Sequence, residues 1–337
     1  MERGLVSSRP MSPEGLRRDQ SSDLYGVILA GGNGKRLASF VKRNYGLDEP
    51  KQFVAFTGKR TMIEHTTDRI ETLIPKEKQL VVLDSRYRQT IHHYLREFPS
   101  ENLVYQPINR ETAPGILLPL ARVLKNDPNS HIGIFPSDHF ILEEGRFMEH
   151  IRFARNVNQQ FPDKIVLFGI QPDAPEDEYG WIQPGEKILA LNGIGINQVK
   201  TFHEKPDHET ARQFLDKGYL WNTLIMVARA STLWKMVLDG APGLQSSFNN
   251  IYDAMGTSEE EKVVRQEYEK MNSVNFSDLV LQKFPSRLLV LRIKDVFWSD
   301  WGNETRVLET LKRIGRSSNP NKRRLEKQEA AIFSVFQ

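Results

Sequence analysis

The run Leu24-Tyr-Gly-Val-Ile-Leu-Ala30 passes without a break into Gly31-Gly-Asn-Gly-Lys-Arg36. Six apolar-rich positions followed at once by glycines read as a short buried strand whose end opens into a glycine-rich loop. Glycines tolerate positive φ and let backbone N–H groups approach a ligand closely, so such a loop can cradle phosphates. Lys35 and Arg36 would add charge-assisted bonds to the same anion. The spacing excludes a Walker A loop, which needs four residues between its first glycine and Gly-Lys-Ser/Thr. It also excludes the dinucleotide G-x-G-x-x-G, because Leu37 stands where the third glycine would fall. Taken alone, the cluster fits either a phosphate cradle or a tight turn.

From residue 24 onwards, apolar runs alternate with amphipathic stretches. The pattern predicts strands at Tyr25–Ala30, Leu80–Leu83, Leu103–Tyr105, Ile132–Phe135 and Ile165–Ile170, with helices at Met62–Leu73, Arg86–Glu97, Ala113–Lys125 and Arg146–Gln160. Such alternation argues for βαβ units and a largely parallel sheet, which binds ligands beyond the carboxyl ends of its strands. After Gln171 the pattern shifts to strand-like pieces at Gly180–Gln183, Gln198–His203 and Leu224–Ala228, with a helix near Glu209–Lys217. This reads as an antiparallel, substrate-side lobe. A helical segment is expected over Gly243–Lys283, then strands at Leu288–Ile293 and Val296–Trp298 and a helix at Glu304–Ile314.

The 337 residues contain no cysteine, which removes disulfides, thiolate metal sites and a cysteine nucleophile and suits a reducing, cytoplasmic setting. No apolar run approaches the ~18 residues that a membrane span requires. Residues 1–22 lack an apolar h-region and are expected to form a flexible tail rather than a secretory signal. The net charge of +3 conceals a basic window, Lys312–Lys327, that carries seven Lys/Arg against one acid and leaves the remainder of the chain at −3. No basic stripe crosses the body, so nucleic acid is not an expected partner. Residues 316–337 are expected to form a basic C-terminal tail, in which Ala330–Phe336 offers an apolar segment that could dock on a second copy in a homodimer. Residues 23–315 then form the main domain.

Two acids follow strands: Asp138 in Phe-Pro-Ser-Asp-His and Asp300 in Trp-Ser-Asp-Trp-Gly. Carboxylates converging there would suit a hard cation such as Mg²⁺, which prefers oxygen ligands and keeps waters and substrate phosphates in its shell. Taken alone, each Asp reads rather as the cap of a turn or a helix start. His139 is a poor match for Mg²⁺ and is expected to pack or orient. A cationic set comprises Lys51, Arg110 and Lys205. Each is either solvated surface charge or, at a turn, a phosphate ligand.

Together these motifs carry a resemblance. Gly31–Leu37, Pro50-Lys-Gln-Phe53, Asn109-Arg-Glu-Thr-Ala-Pro114, Pro136-Ser-Asp-His139, Tyr179-Gly-Trp-Ile182, Phe202-His-Glu-Lys-Pro206, Trp221-Asn222 and Trp298-Ser-Asp-Trp-Gly302 occur in this order. The ordered set resembles the sugar-phosphate nucleotidyltransferases, most of all their mannose-1-phosphate guanylyltransferase branch, over about residues 23–315. The resemblance implies a Rossmann-like, GT-A-like α/β fold, a mostly parallel central sheet with an antiparallel sugar-binding lobe. It implies transfer of a nucleotidyl group from GTP to mannose-1-phosphate with Mg²⁺. By the same resemblance, Ala30, Gly31, Gly32, Gly34, Lys35, Arg36, Asn109, Arg110, Thr112, Ala113 and Asp138 would lie on the nucleotide. Gly180, Glu204, Lys205 and Asn222 would hold the sugar phosphate, Asp138 and Asp300 the metal, and Arg36, Lys51 and Lys205 would be the catalytic cations.

Several positions depart from that pattern. The family's Trp-Pro-Leu-Ser-Arg is replaced by the longer Ala38–Asp48, and Glu178 stands where glycine is usual. Thr223-Leu-Ile replaces Ser-Gly-Met, and Ser277 and Gln282 replace Asp and Glu. The residues after 315 are expected to leave no room for a fused isomerase module or a β-helix. Two other readings stay open: the same transfer with another pair, such as UTP and glucose-1-phosphate, and a catalytically silent nucleotide-sugar-binding regulator.

Overall fold

The computed structural model describes residues 23–191 and 194–316. The expected tails, and with them Ala330–Phe336 and most of the basic window, lie outside the described residues. The elements run β1 (Leu24–Leu29), α1 (Ala38–Tyr45), α2 (Met62–Glu71), β2 (Gln79–Asp84), α3 (Arg88–Tyr94), β3 (Leu103–Gln106), α4 (Thr112–Asn126), β4 (His131–Pro136), β5 (Phe140–Ile141) and α5 (Glu144–Gln160). They continue with β6 (Ile165–Ile170), β7 (Gly180–Leu191), β8 (Ile194–Glu204), α6 (His208–Asp216), β9 (Leu220–Arg229), α7 (Ala230–Gly240), α8 (Gln245–Ala254), α9 (Glu260–Lys270), β10 (Leu288–Arg292), β11 (Trp298–Ser299) and α10 (Glu304–Arg313).

One nine-stranded sheet carries the order β3-β2-β1-β4-β9-β6-β10-β8-β7. The first four strands are all parallel neighbours, as the βα alternation predicts. β9 then enters antiparallel between β4 and β6, β10 lies parallel to β6, and the β7–β8 hairpin closes the far end. The antiparallel lobe expected after Gln171 is therefore an extension of the same sheet. Its hairpin curls so that the start of β7 also meets β9, with Trp181 opposite Trp221.

Side chains alternate across the strands, so each feeds two cores. Val27, Leu80, Val82, Ile132 and Ile134 pack on the face covered by α4, α7, α8 and α9. Ile28, Val81, Leu83 and Phe135 pack on the opposite face with Ile63 and Ile70 of α2 and Phe147 and Ile151 of α5.

The sequence reading leaves two helices out. The first, α1, lies inside the extended segment Ala38–Asp48 and ends at Gly46, whose φ of 70° stops it. It buries Phe40 and Val41 in a third, smaller cluster with Leu37, Phe56, Trp301, Val307 and Leu311. Each such buried side chain contributes roughly 1.5–3 kcal/mol, so the segment is a packed prop beneath the residue 300 loop. The second, α7, follows β9 directly, with Arg229 as its N-cap and no turn residue to announce it. The single helical segment expected over Gly243–Lys283 is broken into α8, α9 and a π-turn at Ser277–Leu281, with Gly256 at φ 80° between the first two.

Candidate active site

The loop after β1 is built from main-chain carbonyls gripped by side chains. Gln52 Nε2 donates to the Ala30 oxygen at 3.0 Å and to the Gly32 oxygen at 2.8 Å, while Asn109 Nδ2 donates to the Gly31 oxygen at 3.2 Å. Three consecutive carbonyls of the loop are thus held by side chains from other segments. Gly34 adopts φ +59°, and a Cβ there would stand 3.0 Å from Pro50 Cα, so only glycine fits both the conformation and the contact. Lys35 and Arg36 are exposed at the loop's end. Arg36 Nη1 forms an ion pair with Glu178 at 2.7 Å.

The two acids singled out in the sequence are 162 positions apart, and a two-stranded ribbon brings their loops together. β5 and β11 pair antiparallel, Phe140 opposite Ser299 and Ile141 opposite Trp298. Asp138 lies two residues before one strand and Asp300 directly after the other. Lys51 joins them: its Nζ donates to the Asp300 main-chain oxygen at 2.5 Å and to that of Trp301 at 3.1 Å, and pairs with Asp138 Oδ2 at 3.2 Å. This lysine is only 9 % exposed, so its ammonium is committed to the site.

The Asp300 carboxylate is held on several sides. Its Oδ1 accepts from the Tyr179 hydroxyl at 2.6 Å, from Gly302 N–H at 3.0 Å and from Arg306 Nη1 at 3.0 Å. Burial alone would raise its pKa; Arg306, Lys51 and the Tyr179 bond outweigh that and hold it below the ordinary carboxylate value. His139 does what the sequence suggests: it accepts at Nδ1 from the Trp298 indole N–H at 3.2 Å, and burial pushes its imidazole down to about 4, against the opposing pull of Asp138.

On the hairpin side, Gly180, Glu204 and Asn222 converge. Gly180 stands opposite Glu204 in the β7–β8 ladder, and a Cβ on Gly180 would lie 2.8 Å from Glu204 Oε2 and 3.3 Å from Asn222 Cβ. Burial pushes the Glu204 carboxyl up to about 7, with Lys205 pulling it down and Asp278 adding to the rise. Lys205 Nζ is 4.0 Å from Glu204 and its side chain is exposed. The altered positions Ser277 and Gln282 both bear on this residue: Ser277 pulls its carboxyl down slightly against burial, and Gln282 Oε1 accepts the Glu204 N–H at 3.0 Å.

The segment 109–113 divides. Asn109 reaches the glycine loop, but Arg110 turns away: its Nε donates to the Tyr268 oxygen at 2.8 Å and its Nη2 to that of Glu269 at 3.1 Å, at the carboxyl end of α9. Thr112 Oγ1 accepts from Phe276 N–H at 2.8 Å, and Ala113 N–H donates to the Val274 oxygen at 3.0 Å. These residues shape the loop through the 268–276 segment. Sequence reasoning assigned no role to Gln52, Arg86, Tyr179 or Arg306. Arg86 spans Asp84 and the glycine loop, with Nη2 2.5 Å from Asn33 Oδ1.

Four of the five non-glycine residues at positive φ among the described residues fall within or beside these motifs: Glu111, Lys205, Leu224 and Trp301. Glu111, at φ 69° and ψ −170°, occupies a region otherwise kept for glycine. Residues held in sparsely populated backbone regions cluster at active sites and ligand clamps in proteins generally.

A glycine loop at the carboxyl end of β1, paired acids bridged by a lysine and a polar cluster on the hairpin form the candidate site at the carboxyl end of a Rossmann-like sheet. The chain belongs to the nucleotidyl transferase family, whose sequence profile matches residues 25–316. It is 28 % identical over 291 residues to mannose-1-phosphate guanylyltransferase 2 of Escherichia coli O157:H7, covering 82 % of this chain and 58 % of that protein. It is 35 % identical over 211 residues to mannose-1-phosphate guanylyltransferase RfbM of Salmonella typhimurium, covering 61 % and 42 %. The chain thus spans about half the length of the curated relatives it matches. Among solved structures, mannose-1-phosphate geranyltransferase from Thermus thermophilus superposes with a TM-score of 0.72 at 23 % identity, over 88 % of this chain and 80 % of that one, which is a likeness of fold. No helix among the described residues is long and apolar enough to cross a membrane.

Proposed function

We propose that this chain transfers a guanylyl group from GTP to mannose-1-phosphate, giving GDP-mannose and pyrophosphate. The observation that carries the reading is Lys51, whose buried ammonium joins the Asp138 carboxylate to the main chain at Asp300 beside the glycine loop. The names of the relatives supply the sugar and the base.

In the proposed reaction a sugar-phosphate oxygen attacks the α-phosphorus of GTP, forming one P–O bond as the α–β bridge breaks and pyrophosphate leaves. The nucleophile is already anionic near pH 7, since its second pKa is about 6, so no general base is needed. What must be supplied is positive potential and alignment between two anions. Arg36 would take the leaving pyrophosphate, Lys51 the α-phosphate region and Lys205 the incoming sugar phosphate. The N–H groups of Gly31–Gly34 would line the triphosphate, and Glu204, Asn222 and the bare Gly180 would accept the sugar's hydroxyls.

Asp138 and Asp300 suit Mg²⁺: both offer oxygen donors, and the positive charge now between their loops is the Lys51 ammonium. Among the described residues no cluster of three or more His, Cys, Asp or Glu forms a metal cage. A shell completed by water and phosphate is what Mg²⁺ favours. The chemistry a bound Mg²⁺ would supply is Lewis-acid neutralisation at the α-phosphate.

Pyrophosphate release measured on the full chain across four nucleoside triphosphates and a panel of sugar-1-phosphates tests this. Release with GTP and mannose-1-phosphate should exceed every other pair by at least about tenfold, ~1.4 kcal/mol of discrimination. A higher rate with UTP and glucose-1-phosphate reassigns the substrates, and no release with any pair overturns the reading.

A further inference from the structure

Asp300 is one of several acids around a single buried guanidinium. Arg306, in the first turn of α10, is placed by the Asn303 N-cap, whose Oδ1 accepts the Arg306 N–H at 3.0 Å. Its side chain is 11 % exposed and lies over the Tyr179 ring at 4.4 Å. Nη1 contacts both Asp300 oxygens, Oδ1 at 3.0 Å and Oδ2 at 3.2 Å, while Nη2 lies against the Glu176 carboxylate. Glu178 Oε2 is 3.9 Å from Nη1 and reaches on to Arg36.

The donors are unequally shared between the two Asp300 oxygens. Oδ1 takes the Tyr179 hydroxyl, Gly302 N–H and Arg306, which fills its lone pairs. Oδ2 takes only the longer contact with Arg306 among the described residues. A carboxylate fixed in this way has one saturated oxygen and one with capacity left. A single nitrogen, Nη1, spans both oxygens while Nη2 faces Glu176, so the rigid planar group sets where that donor sits; a lysine ammonium has no second arm to fix it.

We propose that Arg306 is a positioning residue for Asp300: with Tyr179 it fixes the carboxylate plane and leaves Oδ2 as the oxygen offered to a divalent cation. The inference rests on the reading of Asp300 as a metal ligand. Glu176 balances the charge at the second half of the guanidinium. The role is distinct from that of Lys51, which touches Asp300 through its main-chain oxygen alone.

The test is Mn²⁺ binding to the full chain, followed by the loss of the free-ion EPR signal, in wild type and in Asp300→Asn, Arg306→Lys and Tyr179→Phe. Circular dichroism checks folding of each. Loss of an outer partner of a metal ligand typically weakens affinity by roughly 10–100-fold. Arg306→Lys keeps the charge and should weaken Mn²⁺ binding about tenfold, and Tyr179→Phe should weaken it by a smaller factor in the same direction. Asp300→Asn should abolish the site. Unchanged affinity in Asp300→Asn, or no Mn²⁺ site in wild type, removes the metal reading itself. An intact Asp300 dependence with wild-type affinity in Arg306→Lys overturns the positioning role alone. Should Arg306→Lys not fold, Tyr179→Phe decides, and wild-type affinity in that variant overturns the proposal.

Discussion

Lys51 Nζ stands 3.2 Å from Asp138 Oδ2, with the rest of its hydrogen-bonding capacity turned to the carbonyls of residues 300 and 301. One ammonium therefore fixes the spacing of two loops that lie 162 positions apart in the chain. Lys51→Met keeps the stem and removes the charge. It leaves a partly buried carboxylate and two carbonyls without their donor, at a cost of about 1–3 kcal/mol. Turnover in the pyrophosphate-release assay should fall by about 10²-fold or more, because both positioning and charge are lost. Turnover within threefold of wild type, in a variant that melts at a lower temperature, would reduce Lys51 to a structural strut.

Glu178 is the second connection across the site. Its pairing with Arg36 is half-exposed and worth at most about 1 kcal/mol, yet it occupies the guanidinium proposed for pyrophosphate. Glu178→Gln removes the competing charge while keeping a hydrogen-bond acceptor. The apparent KM for GTP should fall about two- to fivefold, with pyrophosphate a correspondingly stronger product inhibitor. An unchanged KM would mean that Arg36 does not meet the triphosphate or that the pair costs nothing to break.

The parts of this site that the sequence discloses are those with local signatures. The β1 run and its glycines declare a strand and loop because both hydrophobicity and glycine content are read over adjacent residues. Asp138, Asp300, Lys51 and Glu204 become recognisable through ordered motifs. What brings Asp138 to Asp300 is a ribbon of two-residue strands, too short to leave a periodic trace. Arg306 is hidden for a different reason. It lies on a strongly amphipathic, charged helix, where an arginine ordinarily belongs to solvent, and only the fold shows its head turned inward to Asp300 and Glu176. The extended segment after the glycine loop looks like an interruption. Phe40 and Val41 in fact make it a helix in the same buried cluster as Trp301, with the Phe56 ring between Phe40 and the Trp301 ring. Arg110 reads as a nucleotide ligand in its motif; in the fold its Nε and Nη2 are bonded to carbonyls ending α9.

Glu204 gives a pH-dependent prediction. Its folded-state carboxyl is raised to about 7 from an ordinary 4.5, chiefly by burial. Between those values the folded state holds a proton that the unfolded chain has lost. Stability from this group is therefore full below pH 4.5, declines as pH rises through 7, and is gone above it. The shift corresponds to roughly 3 kcal/mol. Glu204→Gln removes the titration and keeps a side chain of nearly the same size and shape. The variant should match wild type near pH 4.5 and exceed it by a few kcal/mol at pH 8 in denaturant melts. A stability difference that does not change between pH 5 and 8 would show that Glu204 stays ionised in the fold.

Leu224 occupies the position where the resembling family carries glycine, and its φ is +61°. The backbone conformation is thus one that suits glycine, while the side chain packs against the core cluster beneath α4 and α7. Leu224→Ala and Leu224→Gly both lose that packing, at ~2–5 kcal/mol for a leucine that is well buried and less for one partly exposed. They differ in the backbone term. In an ordinary strand alanine outranks glycine by roughly 0.5–1 kcal/mol. At positive φ, the Cβ–carbonyl clash of about 1–2 kcal/mol reverses the order. Leu224→Gly should therefore be more stable than Leu224→Ala by about 1 kcal/mol in urea unfolding. The same comparison at Leu220, in the same strand, should show the usual preference for alanine. If alanine outranks glycine at 224 as well, the left-handed geometry at this residue is wrong. The altered Thr223-Leu-Ile segment would then be accommodated without strain.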